Sequence, residues 1–140
     1  MKRRADFGHY VTVLADVMQT TEEMGGRLDP FYEKFRAALD EDGEVAAEDY
    51  ERTKTEFDAG VEFYQKNLER LRGLQAPAAV IGMHKKLTGA YRRFREGCVH
   101  MNEAIDYDGH AVDAEAFNAA EKEQGDAMDE IARYVQKIMR

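Results

Sequence analysis

The side chains best suited to chemistry are the four histidines, the single cysteine and the acids near them. Metal sites in helical bundles typically combine glutamates with Glu-x-x-His pairs on facing helices. Asp6 stands three residues before His9 and Glu96 four before His100, but neither pair has a second set of ligands at a matching depth. One cysteine, Cys98, excludes an intramolecular disulfide and any multi-thiolate site. We therefore predict no metal site and no cofactor.

A second pattern pairs arginine with histidine. Four residues separate Arg95 from His100, and six separate Arg93 from it. This spacing resembles the Arg-x4-6-His motif of the HEPN ribonucleases, small helical bundles in which, as the resemblance implies, the pair acts on an RNA phosphodiester. On a helix Arg93 and His100 also share a face with Glu96 between them, so a surface ion network is the other interpretation.

His84 is the only histidine on an apolar helical face. A core histidine satisfied by a hydrogen bond is one interpretation of this position. The other is a residue that contacts a ligand inside a bundle cavity, which gives the hypothesis of a small-ligand carrier with its cavity near His84.

The last candidate site is the outer face of the same segment, which carries the only strongly basic surface in the sequence. Its cations lie near the start of their helix, on the unfavourable side of the helix dipole. Pairing with acids of neighbouring helices or binding of an anionic partner would explain this. Two glycines lie in line with these cations, where a missing side chain allows close approach of another backbone. The predicted partner-binding residues are Gly82, Lys85, Lys86, Gly89, Arg92, Arg93 and Arg95.

The arginine–histidine pair, His84 and the basic face all belong to a predicted central helix from Val80 to Ile105, whose apolar residues recur at alternating spacings of four and three. Two further helices are predicted at 4–40 and 46–75, and a last one after an N-cap at Asp113. In the first of these helices the apolar residues stay on one helical face on both sides of Pro30, which predicts a single helix kinked at that proline. Two helices, the second capped by Asp29, are the alternative.

Short connections make consecutive helices antiparallel. Gly43 is expected in the left-handed position that ends the first helix, a second glycine stop follows the central helix, and Pro77 is expected in a first helical turn. The predicted fold is an all-α, up-down-up-down four-helix bundle in a single domain of residues 1–140, with the first helix kinked or broken near Gly25–Pro30.

Charge limits the classes of partner. Twenty basic against twenty-eight acidic side chains give a net charge of −8, which argues against DNA and RNA. No run approaches the roughly 20 apolar residues of a membrane span, so no membrane partner is predicted. A single cysteine suits a reducing compartment, and we expect a cytoplasmic protein.

No nucleophile–base pair, phosphate loop or paired-carboxylate motif stands out. The leading hypothesis is therefore a non-catalytic helical-bundle interaction protein, which self-associates as a homo-oligomer or docks on an acidic protein through its basic end. The up-down-up-down topology is expected to collect the following cations at that end: Lys2, Arg3, Arg4, Arg70, Arg72, Lys85, Lys86, Lys137 and Arg140. A HEPN-like ribonuclease and a small-ligand carrier are the alternatives.

Overall fold

The computed structural model describes residues 6–140, which form four helices and a minimal hairpin. Consecutive helices pack against one another, so the predicted all-α four-helix bundle is confirmed. The start of the first helix expected at residue 4, and the Lys2, Arg3 and Arg4 part of the basic end, lie outside the described residues. The elements are α1 (Phe7–Asp40), α2 (Ala47–Gly73), α3 (Ile81–Glu103), β1 (Ile105–Asp106), β2 (Ala111–Val112) and α4 (Ala114–Ile138).

Helix α1 is continuous over 34 residues and contains Pro30. The interpretation as one helix is confirmed, and the alternative in which Asp29 caps a second helix is wrong. Asp6 is the N-cap, and its side chain accepts a hydrogen bond from the backbone N–H of Gly8 at 2.9 Å. Proline removes one internal hydrogen bond, but almost three further turns on its C-terminal side and packing against α2 keep the helix intact.

The turns differ from the prediction in three places. Asp42 (φ 53°), and not Gly43, takes the left-handed conformation after α1, which a short polar side chain tolerates. The expected glycine stop after α3 is a hairpin in which β1 and β2 pair antiparallel, with His110 (φ 51°) in its loop. Pro77 lies in the turn before α3, where its carbonyl accepts from the N–H of Val80, and not in a helical turn.

Apolar side chains form two clusters along the bundle. The larger contains Tyr10, Tyr64 and Tyr91, and the smaller, beside the hairpin, contains Phe35 and Phe117. Helix α3 contributes to both, so its apolar face lies at the centre of the molecule as the periodicity indicates.

A buried polar network joins α1, α2 and α3. Thr21 accepts hydrogen bonds from the Tyr91 hydroxyl at 2.7 Å and from the Asn67 amide at 3.4 Å. Arg70 donates to the Asn67 carbonyl oxygen at 3.2 Å and pairs with Asp16 at 2.7 Å. Since each buried polar group must find its partner, this network fixes the register of the three helices.

Candidate functional site

A cleft with a volume of about 930 Å³ lies between α1 and α4. Helix α3 packs closely along α4, and α2 packs against both α1 and α3, but α1 and α4 hardly touch. Their polar links lie at the hairpin end, where Arg36 donates to the Asn118 carbonyl oxygen at 2.7 Å and the Tyr32 hydroxyl donates to Glu121. The cleft therefore runs from this linked end along the rest of the α1–α4 seam.

Apolar side chains make up most of the cleft surface. Its floor comes from α2 and α3, where the rings of Tyr64 and Phe94 meet edge to face at 5.0 Å. The α1 wall is formed by Met18, Thr21, Glu22, Gly25, Leu28, Asp29 and Tyr32. The α4 wall is formed by Glu121, Gln124, Gly125, Met128, Ile131, Ala132, Val135, Gln136 and Met139.

Two buried glycines bring the supporting helices together. A Cβ on Gly60 of α2 would lie 2.6 Å from the Leu28 side chain of α1, and a Cβ on Gly97 of α3 would lie 2.9 Å from Gln124 of α4. The Gln124 amide also donates to the Gly97 carbonyl at 3.0 Å. At Gly97 the backbone nitrogen of Gln124 would lie 3.2 Å from the added Cβ, so α4 approaches α3 closely there, whereas the end of the Leu28 side chain fills the space at Gly60.

The cleft exposes apolar groups that a closed bundle would bury. Met128 is 36% exposed and Met139 is 49% exposed. Gly25 on one wall and Gly125 on the other have no atom within 4 Å of the position that a Cβ would take. The walls thus combine flexible thioether side chains with positions where an occupant could approach the backbone closely.

Charged side chains in the cleft are all acidic: Glu22, Asp29 and Glu121 line it, and no lysine or arginine does among the described residues. Glu121 is engaged by Tyr32 and by Arg36, whose guanidinium lies 3.6 Å away. Across residues 6–140, Glu22 and Asp29 make no ion pair, and both are exposed.

Cys98 lines the cleft, but its environment does not suit a nucleophile. Burial raises the pKa of the thiol to about 12, although the nearby Arg95 opposes this shift. At neutral pH the side chain is therefore a neutral thiol. Burial also raises the pKa of the Tyr10 hydroxyl to about 12 and raises that of Tyr64.

These raised pKa values predict alkaline destabilisation. Below about pH 8 Cys98 and Tyr10 are protonated in both states, so neither changes stability. At higher pH the unfolded chain ionises first, because its thiol and phenol have ordinary pKa values, and folding loses free energy until the folded groups ionise near pH 12. We expect a loss of about 2 kcal/mol between pH 8 and 10 in urea unfolding. Cys98→Ala should reduce the change in the free energy of unfolding between pH 8 and 10. An unchanged pH dependence in Cys98→Ala would contradict the raised pKa of the Cys98 thiol.

The residues of the predicted basic face differ in their partners and in their exposure. Arg92 pairs with Glu96 at 2.7 Å on the same helix, and Arg93 pairs with Glu130 of α4. Arg95 is half-buried, and its Nε has no hydrogen-bond partner among the described residues. Lys85 and Lys86 are exposed and make no ion pair within residues 6–140. Pairing with a neighbouring helix thus accounts for Arg93 alone.

The glycines of that face have open surroundings. No atom lies within 4 Å of a Cβ built on Gly82, and only the side chain of Arg93 approaches one built on Gly89, at 3.6 Å. Neither glycine mediates close helix packing within the bundle. None of the seven predicted partner-binding residues lines the α1–α4 cleft.

His84 is buried, and the structure places it outside the cleft. Its Nε2 bonds the carbonyl of Leu71 at 2.9 Å, so this nitrogen carries the proton, and its Nδ1 accepts from the Tyr10 hydroxyl at 2.8 Å. Leu71 lies in the last turn of α2, where carbonyls lack partners within the helix. Both ring nitrogens are thus engaged in holding α1, α2 and α3 together.

The arginine–histidine pair is divided between two carboxylates of α4. Arg93 pairs with Glu130, and Nδ1 of His100 lies 2.9 Å from Glu123. The alternative to the HEPN motif, an ion network of Arg93 and His100 through Glu96, is wrong in its partners, since Glu96 pairs with Arg92 and the other two residues each contact an acid of α4.

Comparison with known protein families, curated proteins and solved structures found no match to this chain. Within residues 6–140, no three His, Cys, Asp or Glu side chains are grouped so as to hold a metal ion. Over the same residues, no helix combines the length and apolar character required to cross a membrane.

Sequence reasoning did not find the cleft, although a signal for it was present. The apolar face that the sequence predicts for α1 includes Leu14, Thr21 and Phe35, which are buried, and also Met18, Gly25 and Tyr32, which line the cleft. The helix buries Val17 and Met24 as well, each one residue before a member of that face. A helix with two adjacent apolar rows has more apolar surface than one neighbour covers. Helix α4 has the same excess, since it buries Ala127 and Ile131 and also carries Met128 and Val135.

Proposed function

We propose that this protein is a non-catalytic interaction protein that binds an amphipathic helix of a partner in the α1–α4 cleft. The observation that carries the proposal is the open seam, an apolar groove between two helices whose floor is aromatic. Laying the apolar face of a helix into such a groove is a recurrent mode of peptide recognition.

The dimensions of the cleft suit a helix. Its α1 wall extends from Met18 to Tyr32, which at roughly 1.5 Å per residue is about 21 Å. A helix of about 14 residues has this length. Both walls contribute residues from successive turns, so the groove has the periodicity of the helices that border it and would accept side chains spaced at i, i+3, i+4 and i+7.

The composition of the cleft supports the same occupant. Four of the seven methionines of the chain line it: Met18, Met101, Met128 and Met139. Methionine adapts its shape to different partners and is enriched on surfaces that bind amphipathic helices. Covering Met128 and Met139 would remove apolar area from water, which is favourable by about 25 cal/mol per Å².

The proposal concerns binding and not catalysis. The thiol of Cys98 is protonated at neutral pH because burial raises its pKa to about 12. Docking on an acidic partner through the basic face remains a second proposal, supported by the two exposed lysines Lys85 and Lys86. A HEPN-like activity would need an RNA cleavage that His100→Ala abolishes.

A cleft-filling experiment tests the proposal. The probe is a fluorescein-labelled 14-residue peptide with a leucine face and glutamines elsewhere, and binding is measured by fluorescence anisotropy. Gly25→Leu and Gly125→Leu place side chains in the open seam and should weaken binding by tenfold or more, about 1.4 kcal/mol. Both substitutions favour the helix, because leucine has a higher helix propensity than glycine.

The matched control is Gly26→Leu. Gly26 is exposed, has no atom within 4 Å of its Cβ position and does not line the cleft. This variant should bind the peptide as the native protein does. Equal affinities of Gly25→Leu and Gly26→Leu would contradict the proposal. If the peptide fails to bind, but the uncharged dye Nile red binds and its affinity falls in Gly25→Leu, the cleft serves a small apolar ligand. The carrier hypothesis then applies to this site.

A further inference from the structure

We infer that the partner helix is basic, with lysine or arginine side chains along the edge of its apolar face. The inference rests on the proposed function and specifies the chemistry of its partner. This partner differs in charge from the one proposed for the basic face of α3: a helix bound in the cleft would be cationic, whereas a protein docked on the basic face would be acidic.

The distribution of charge on the α1 wall supports a cationic partner. Glu22 and Asp29 are both exposed at the cleft and lie seven residues apart, which on a helix places them on one side at a separation of about 10 Å. Neither makes an ion pair across residues 6–140. Two carboxylates of the same sign thus border the groove without a compensating cation.

The neighbouring acids have partners and show the contrast. Glu121, across the cleft, is engaged by Tyr32 and Arg36, and Glu23, the residue beside Glu22 on α1, accepts a hydrogen bond from Gln19 at 3.1 Å. Of the three acids that line the cleft, Glu22 and Asp29 are the two that make no ion pair within residues 6–140, and a helix in the cleft would pass them. Basic side chains at matching positions of that helix would face them, whereas acidic ones would be repelled.

Charges at the edge of an interface contribute modestly to affinity and strongly to the choice of partner. An exposed ion pair is worth little individually, whereas like charges brought together are penalised and opposite charges accelerate association. The apolar cleft would supply the binding energy common to any amphipathic helix. Glu22 and Asp29 would select the basic ones, and this selection would weaken as salt screens charges more than about 8 Å apart.

The test compares three labelled peptides of 14 residues that share one leucine face and differ only beside it: lysine, glutamine or glutamate at two edge positions seven residues apart, the spacing of Glu22 and Asp29. At 20 mM salt we expect the lysine peptide to bind about threefold to tenfold more tightly than the glutamine peptide, and the glutamate peptide more weakly than either. At 500 mM salt the three affinities should converge.

A double variant locates the effect. Glu22→Gln/Asp29→Asn should abolish the preference for the lysine peptide while the affinity for the glutamine peptide is unchanged. The matched control, Glu48→Gln/Glu51→Gln, removes the same charge from two exposed acids of α2 that do not line the cleft, and it should keep the preference.

Failure of the inference and failure of the proposed function give different results. In one case the glutamine peptide binds and Gly25→Leu weakens its binding, but the lysine and glutamate peptides bind with equal affinity. The cleft then holds a helix, and the inference of a basic partner is overturned. If both double variants reduce the preference equally, the net charge of the protein acts and not the cleft, which also overturns it. If no peptide binds in a manner that depends on Gly25, the proposed function itself fails, and the inference fails with it.

Discussion

Phe35→Ala should lower the free energy of unfolding by about 3–5 kcal/mol, the usual cost of removing a buried phenylalanine from a core. The ring is fully buried in the smaller apolar cluster and packs edge to face on Tyr50, with centroids 5.2 Å apart. Alanine leaves a cavity that α1 and α2 cannot close, because the turn between them joins the helices only a few residues away. Urea unfolding followed by circular dichroism measures the loss.

The matched control for Phe35→Ala is Phe7→Ala in the same helix. Phe7 is 47% exposed, so alanine there should cost less than about 1 kcal/mol. Losses of equal size at the two positions would mean that the cluster beside the hairpin is not a packed core. The bundle has two apolar clusters. A lower m-value in Phe35→Ala, meaning a weaker dependence of the free energy of unfolding on urea concentration, would show that the two clusters unfold separately.

His84→Phe should cost about 2–4 kcal/mol although it preserves an aromatic ring. The substitution removes the N–H that caps the Leu71 carbonyl and the nitrogen that accepts from the Tyr10 hydroxyl, at 2.9 and 2.8 Å. The Tyr10 hydroxyl is then buried without a hydrogen bond, which is more costly than the bond itself was favourable, and the Leu71 carbonyl keeps only the hydrogen bond from the N–H of Leu74 at 3.3 Å.

A double-mutant cycle isolates the bond to Tyr10. Tyr10→Phe combined with His84→Phe should destabilise by less than the sum of the single variants, with a coupling of about 0.5–3 kcal/mol. Peptide binding in the cleft should be unchanged in a folded His84→Phe protein, because His84 lies outside it. A folded variant that loses binding would restore the hypothesis that His84 contacts a ligand.

The sequence was sufficient for the helices and insufficient for the site, and the reason is physical. Apolar periodicity located α3 to within two residues at each end, and the unbroken phase through Pro30 indicated one helix there. Periodicity reports which face of a helix is apolar, but it does not report how far apart two helices lie. That distance depends on contacts between helices, such as the close approach of Gln124 of α4 to Gly97 of α3, which no single helix pattern contains.

The charges were located by similar reasoning and with a similar limit. Cations against the dipole of α3 indicated that something other than the dipole selects them, and Arg93 does pair with Glu130 on α4. Which charges make no ion pair depends on the distances between side chains of different helices. Glu22 and Asp29 looked like any exposed acids in the sequence, and only the cleft beside them makes them candidates for recognition.

The links between α1 and α4 restrict how the cleft could change its width. Among the described residues, the side-chain hydrogen bonds between these helices involve only Tyr32 and Arg36, at the hairpin end. Elsewhere the two helices could separate or approach without breaking a polar bond between them, whereas at the hairpin end any such movement would disrupt one. If the cleft binds a helix as proposed, its width would adjust more readily toward Met139 than at the hairpin end, because no polar bond between α1 and α4 would break there.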